Sequence, residues 1–338
     1  MVRILITGGT GCIGAAASYA CARRGAARIF VASRSGRPDR LQLWFGDRVE
    51  ARVRMLRGDL TDSTAVERWM EAASPTHVIH FGAFQTPACD AEPWRGMEVN
   101  TGGTLNLVRA AARRRSLERF VLASSAAVYG PRSLYPGPAV RETDPLRPRN
   151  LYGVWKLASE HLARLYHEET GVPTVCLRLN TVYGKGRDLG QTSAPTAAIK
   201  AVAAGHVRGR PIPFRMPYTG RENYHYVGDA GAHFAAAALD TFDGYGVFNI
   251  RGRTVAVEEF LRLIAETAAS MGMGDAVDLG IAPDAEEAPF VHELDDTAIR
   301  RAFPSAPLTP LEKGIRLSLK AFVELARAGR LEADYKPG

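Results

Sequence analysis

Cysteine is scarce in this chain. Its 338 residues include four, Cys12, Cys21, Cys89 and Cys176, with no Cys-x-x-Cys pair and no histidine cluster nearby. That spacing argues against a zinc site or a disulfide framework, so a reduced compartment is expected. No apolar stretch approaches the ~18 residues that span a bilayer. The opening run "MVRILITGG" breaks into glycine after one strand's worth of apolar residues, which does not make a signal peptide. A cytoplasmic protein without membrane contact is the expectation. Charge of one sign is not extreme either: 43 Lys+Arg face 36 Asp+Glu, a formal +7. Such an excess suits anionic ligands such as phosphates. No nucleic-acid recognition motif accompanies it, and the densest basic run, Arg113–Arg115, closes a helix-periodic stretch where cations complement the helix dipole.

What is present is an alternation. Short β-branched runs at 3–7, 28–33, 53–58, 77–82, 119–125 and 174–179 alternate with Ala-rich, helix-periodic segments around 12–24, 62–73, 99–115 and 151–170. This pattern predicts an α/β protein with a doubly wound parallel sheet covered on both faces, its ligands beyond the carboxyl ends of the strands. After residue 180 the pattern loosens, with helices at 196–205, 227–240, 255–271 and 310–329 and a strand at 246–252 that could return to the sheet. We read a nucleotide-binding domain over 1–180 plus about 224–252, and a smaller interleaved lobe over 181–223 and 253–338. The stretch "PRSLYPGPAVRETDPLRPRN" (131–150) carries five prolines and reads as a stiff loop bordering a site.

Directly after the first strand, "TGGTGCIG" places Gly8, Gly11 and Gly14 where a helix begins. Glycine there allows a tight turn and lets backbone N–H groups approach a pyrophosphate at the positive end of the helix, so dinucleotide binding is expected. The second strand ends in "VASRSGR", with Ser33 and Arg34 and no carboxylate until Asp39. That chemistry suits a ribose 2′-phosphate, making NADP(H) the expected cofactor and NAD(H) the alternative. Asp59 in "GDL" stands where it could accept from an adenine amine or cap the following helix. The segment "YGVWK" puts Tyr152 and Lys156 one helical turn apart on one face.

Taken in order, the glycine loop, "GDL", "SSAAVYG" (124–130), "YGVWK" and "LRLNTVYG" (177–184) resemble the extended short-chain dehydrogenase/reductases. The likeness is to the NAD(P)-dependent epimerase/dehydratase group that includes UDP-galactose 4-epimerase. The resemblance implies a Rossmann-type fold and a catalytic set of Ser125, Tyr152 and Lys156. It further implies cofactor contacts from Gly8, Gly11, Cys12, Ile13, Gly14, Ser33, Arg34, Asp59, Leu60, Phe81, Gly82, Ala83, Asn100, Ser124, Tyr152 and Lys156, and a homodimer through 99–115 and 151–170. In this chemistry Tyr152 takes a proton from a substrate hydroxyl as hydride leaves the same carbon, with Lys156 and the oxidised nicotinamide favouring the phenolate and Ser125 holding the reacting oxygen. Asn180 and Tyr183 are expected to line the substrate pocket.

Two departures bear on substrate and reaction. Dehydratases of the group carry an Asp-Glu pair after the position of Ser125, where this chain has Ala126-Ala127, so dehydration is disfavoured. Glu222 falls where nucleotide-sugar members hold the diphosphate with an arginine, Arg221 being displaced by one, and Glu286 or Glu287 falls at a second such position. Either the substrate is a sugar or polyol without the nucleotide, such as an amino sugar whose amine a carboxylate pairs, or a one-residue register difference restores Arg221 to the pocket. The leading expectation is a sugar epimerase acting through a transient ketone. An NADP-dependent dehydrogenase or reductase is the alternative, and a non-catalytic cofactor-binding sensor the remote one.

Overall fold

The computed structural model describes residues 1–288 and 291–331. Strands β1 (Arg3–Thr7), β2 (Arg28–Ser33), β3 (Val53–Arg57), β4 (His77–His80), β5 (Arg119–Ser125) and β6 (Thr174–Leu179) form where the β-branched runs lie. Between them stand α1 (Cys12–Arg23), α2 (Asp39–Phe45), α3 (Ser63–Ala73), α4 (Gly103–Ala112) and α5 (Leu151–Thr170). Later come β7 (Thr181–Tyr183), α6 (Ala194–Arg208), β8 (Phe214–Thr219), β9 (Arg221–Tyr226), α7 (Val227–Leu239), β10 (Tyr245–Asn249), β11 (Arg253–Ala256), α8 (Val257–Ser270), β12 (Leu279–Glu287) and α9 (Leu311–Arg327).

The main sheet runs β10-β6-β5-β4-β1-β2-β3, every pair parallel. Successive side chains on a strand point to opposite faces, so a sheet covered on both sides must be apolar at every position. In β1, Ile4 and Ile6 join one core with Ala15 of α1 and Phe234 and Ala235 of α7, while Leu5 joins the other with Met70 of α3 and Leu107 of α4. The chain order reverses between β1 and β4, and the crevice this opens at their carboxyl ends is where such sheets bind ligands. This is a Rossmann-like α/β fold.

The smaller lobe holds the sheets β11-β9-β7 and β12-β8. Its own core gathers Ile199 and Val202 of α6, Phe260 and Ile264 of α8, and Leu319 and Phe322 of α9. Tyr224 and Phe260 stack with ring centroids 4.1 Å apart. The helix expected at 99–115 is shorter as an α-helix, because a π-helical turn over Glu98–Gly102 precedes it. Glu286 and Glu287 lie on the exposed part of β12. Of the lobe expected over 253–338, residues 289–290 and 332–338 lie outside the described residues. Among the described residues no helix is long and apolar enough to cross a membrane.

Candidate active site

Two adjoining cavities open at the carboxyl ends of the main sheet. The larger, about 690 Å³, follows the glycine loop. Helix α1 starts at Gly11 with no side-chain cap and no acid in its first turn, so its free N–H groups and dipole face the cavity, as an anion requires. Gly14 is needed for this approach: a Cβ there would stand 2.6 Å from Gly8 O and 2.7 Å from Gly9 Cα. Gly8, Gly11, Cys12, Ile13, Gly14, Ser33, Arg34, Asp59, Leu60, Phe81, Gly82, Ala83, Ser124, Tyr152 and Lys156 all line this cavity. The chain therefore fits a dinucleotide. Asn100 does not line it. Buried behind the wall, its amide accepts from Phe84 N–H at 2.7 Å and donates to Phe84 O at 2.9 Å, shaping the loop after β4.

Asp59 is largely engaged where it stands. Thr61 N–H and the Thr61 hydroxyl donate to one carboxylate oxygen, both at 2.9 Å, and Arg95 to the other at 2.9 Å. Burial raises its pKa, yet these partners hold it below the usual carboxylate value. Helix α3 is capped instead by Asp62, which accepts from Thr64 N–H at 2.9 Å.

The second cavity, about 380 Å³, shares Ile13, Gln85, Ser124, Tyr152, Leu179 and Arg187 with the first. Ser125, at the end of β5, and Tyr152, in the first turn of α5, meet at its floor and hydrogen-bond. Sequence brings them together locally. Asn150 caps α5 by accepting from Gly153 N–H at 2.8 Å. Gly153 then lets the helix press onto the 126–128 turn, where a Cβ would lie 2.1 Å from Ala127 O.

Lys156, one turn on, is buried and donates to Ala123 O at 2.7 Å, its Nζ 5.6 Å from the Tyr152 ring centroid. Desolvation brings this ammonium down to about 8. The same cause pushes the Tyr152 phenol up to about 12, opposed by the charge of Arg187 and the Ser125 hydrogen bond. Arg187 is thus a second cation near the Tyr152 phenol. Lys156 is turned to the β5 carbonyl.

Asn180 lines the second cavity, its amide donating to Val291 O at 2.5 Å. Three expected substrate contacts lie elsewhere. Tyr183 is fully buried in the smaller lobe's core, packed edge-on against Phe260. Glu222 is buried within that lobe beside the Tyr218 hydroxyl at 3.4 Å, and Arg221 points outward to Glu293 at 2.9 Å. None of the three lines either cavity. Alternation along β7 and β9 turns these side chains inward or outward, which the family likeness alone did not reveal. Sequence reasoning missed Arg149 and Arg187, both lining the second cavity. Arg149 closes the proline-rich loop that was expected to border a site. Arg187 donates to Thr192 Oγ1 at 2.6 Å and Gln85 Oε1 at 3.4 Å.

Comparison with known proteins agrees with this geometry. The model of the NAD dependent epimerase/dehydratase family matches residues 4–250, and the chain belongs to that family. It is an enzyme of the extended short-chain dehydrogenase/reductase type, and it transfers hydride between a nicotinamide cofactor and a sugar-like substrate. The UDP-glucose 4-epimerase of Azospirillum brasilense is 29% identical over 279 residues, 78% of this chain and 77% of that protein. That of Lacticaseibacillus casei is 30% identical over 215 residues, 60% of this chain and 64% of that protein. The solved UDP-glucose 4-epimerase of Thermus thermophilus, in complex with NAD, superposes with a TM-score of 0.75 at 27% identity, covering 95% of this chain and 99% of that one.

The expectation of NADP(H) is overturned by such relatives. The Thermus enzyme holds NAD, as do the solved structures of MoeE5 and of a Bacillus cereus UDP-glucuronic acid 4-epimerase. Ser33 is buried, its hydroxyl oxygen accepting from Gly36 N–H at 3.1 Å, and Arg34 is exposed at the cavity rim. Ser33 is engaged in its own turn, and Arg34 at the cavity rim does not by itself require a 2′-phosphate.

Proposed function

We propose that the protein is a NAD-dependent sugar epimerase that acts through a transient ketone on a nucleotide sugar. Tyr152 takes the proton of a substrate hydroxyl, Ser125 holds the same oxygen, and Lys156 keeps α5 seated on β5 so that the two hydroxyls converge. The glycine loop and the other residues of the larger cavity would hold NAD, which would supply a hydride acceptor and donor there with no net redox change. The supporting observation is that Gly186, Arg187, Asp188 and Leu189 line the cofactor cavity and that their segment is tied to α2. Arg40 of α2 donates to Gly186 O at 3.0 Å and Asp188 at 3.2 Å, and Lys185 donates to Leu43 O at 2.8 Å while its Nζ sits 3.9 Å over the Trp44 ring. A retained cofactor suits a reaction that regenerates it at every turnover, whereas a dehydrogenase must exchange it.

Substrate class follows from charge. Among the described residues, the second cavity is lined by Arg149 and Arg187 and by no aspartate or glutamate. With Glu222 turned away, the repulsion that argued against a diphosphate disappears, and an anionic sugar derivative is favoured. The domain over 1–180 and about 224–252 carries the glycine loop and most of the substrate cavity's wall, to which the interleaved remainder adds Val182, Arg187, Thr192 and Val291. Trp94, Leu105, Val154 and Leu165 are 77%, 40%, 39% and 51% exposed around α4 and α5. This apolar face supports a homodimer through those helices. The test is direct: nicotinamide released by denaturing the purified protein, and UDP-sugar interconversion without a net change at 340 nm, support the reading. Stoichiometric NADH accumulation overturns epimerisation. Tyr152→Phe with full turnover overturns the assignment of the base.

A further inference from the structure

Ser124 and Arg178 are register partners on β5 and β6, and Glu160, two turns beyond Tyr152 on α5, reaches between them. Arg178 grips its carboxylate with two prongs, Nε to Oε1 at 2.9 Å and Nη2 to Oε2 at 2.8 Å, while the Ser124 hydroxyl donates to Oε1. All three residues are 2–3% exposed. Arg178 also donates from Nη1 to the Tyr129 hydroxyl at 2.7 Å, so the cluster joins a residue of the cofactor cavity, Ser124, to a wall of the substrate cavity, Tyr129. Tyr152, Lys156 and Glu160 are thereby matched, turn by turn, to Ser125, Ala123 O and Ser124.

A hydroxyl has one proton and two lone pairs. A carboxylate paired with a guanidinium only accepts, so the Ser124 proton is committed to Glu160 and the oxygen can only accept from a ligand in the cavity. We propose that Glu160 is a positioning residue that sets the polarity of Ser124, making it an acceptor for the carboxamide N–H of the nicotinamide and so fixing the orientation of that ring. The proposal rests on the reading that the larger cavity takes NAD.

The test compares dissociation constants, measured by calorimetry, for NAD and for its 3-acetylpyridine analogue, which keeps the carbonyl but lacks the N–H donors. The wild type is expected to favour NAD by about fivefold to tenfold, the effect of one neutral hydrogen bond. In Ser124→Ala the preference disappears. In Glu160→Gln the new amide donates to Ser124, whose proton turns to the cavity, and the preference is again lost. Ser124→Ala leaves the Glu160–Arg178 pair intact and so tests the Ser124 contact even where Glu160→Gln fails to fold, while a wild-type preference kept in folded Glu160→Gln overturns the role of Glu160. Equal discrimination in wild type and Ser124→Ala, or none in the wild type, overturns the proposal while the NAD reading stands. Failure of the wild type, first stripped of any nicotinamide it carries, to bind either dinucleotide overturns both.

Discussion

Glu222 offers a quantitative check on how the smaller lobe is built. Burial raises its carboxyl from 4.5 to about 7, against the opposing pull of the Thr181 and Tyr218 hydroxyls. Because the folded value lies above the unfolded one, the associated stability is fully present below pH 4.5 and is lost as pH rises through 7. Between pH 5 and pH 8 the folded chain gives up most of a proton that the unfolded chain has already lost. At 1.36 kcal/mol per proton per pH unit, the penalty comes to about 2.5 kcal/mol. Glu222→Gln keeps the shape and an acceptor for Tyr218 but cannot ionise. Urea unfolding of both proteins at pH 5 and pH 8 isolates the effect, since every other titrating group is common to the pair. The wild type should lose about 2.5 kcal/mol more than the variant over this interval. A pH dependence that is the same in both, to within about 0.5 kcal/mol, would refute the placement of Glu222 in a dry interior.

Three further outcomes are expected. Gly153→Ala must push α5 off the 126–128 turn, costing about 1–3 kcal/mol of stability as overpacking does and lowering turnover at least tenfold, measured by thermal unfolding and by the epimerase assay. With the Lys156 ammonium titrating at about 8, its charge is present below that pH and lost above it. An alkaline decline in turnover centred near pH 8 is therefore expected, and a flat profile to pH 10 would count against a role for that charge. Leu165→Glu places a charge on the exposed apolar face of α5, and light scattering should show a monomer where the wild type is a dimer.

The strands of the main sheet were legible because a sheet buried on both faces leaves short runs dominated by apolar residues, as in "RILIT" and "TVCLRL". Ser125, Tyr152 and Lys156 could be located because their spacing is set by one strand end and one helical turn. The smaller lobe was less legible. Strands β7 and β11 are short, and β8 ("FRMPYT") and β9 ("RENYHY") are rich in polar residues, so all four gain their order from tertiary pairing and local propensity gave little sign of them. The errors at Tyr183, Arg221 and Glu222 have a common origin: in a strand, neighbouring positions face opposite ways, and a family pattern aligned along the chain does not say which way each points. Arg187 went unnoticed because it stands in an irregular segment, where only the folded chain shows that it reaches both cavities.

Strand β10 lies beside β6 although the whole stretch from Asn180 to Gly244 intervenes. A chain threaded this way cannot be cut cleanly into two independent halves. A fragment ending at residue 180 would leave one margin of the sheet with bare amides and strip α1 of the α7 surface it packs on. Loss of structure in either lobe should consequently propagate to the other, and calorimetry should record a single melting event.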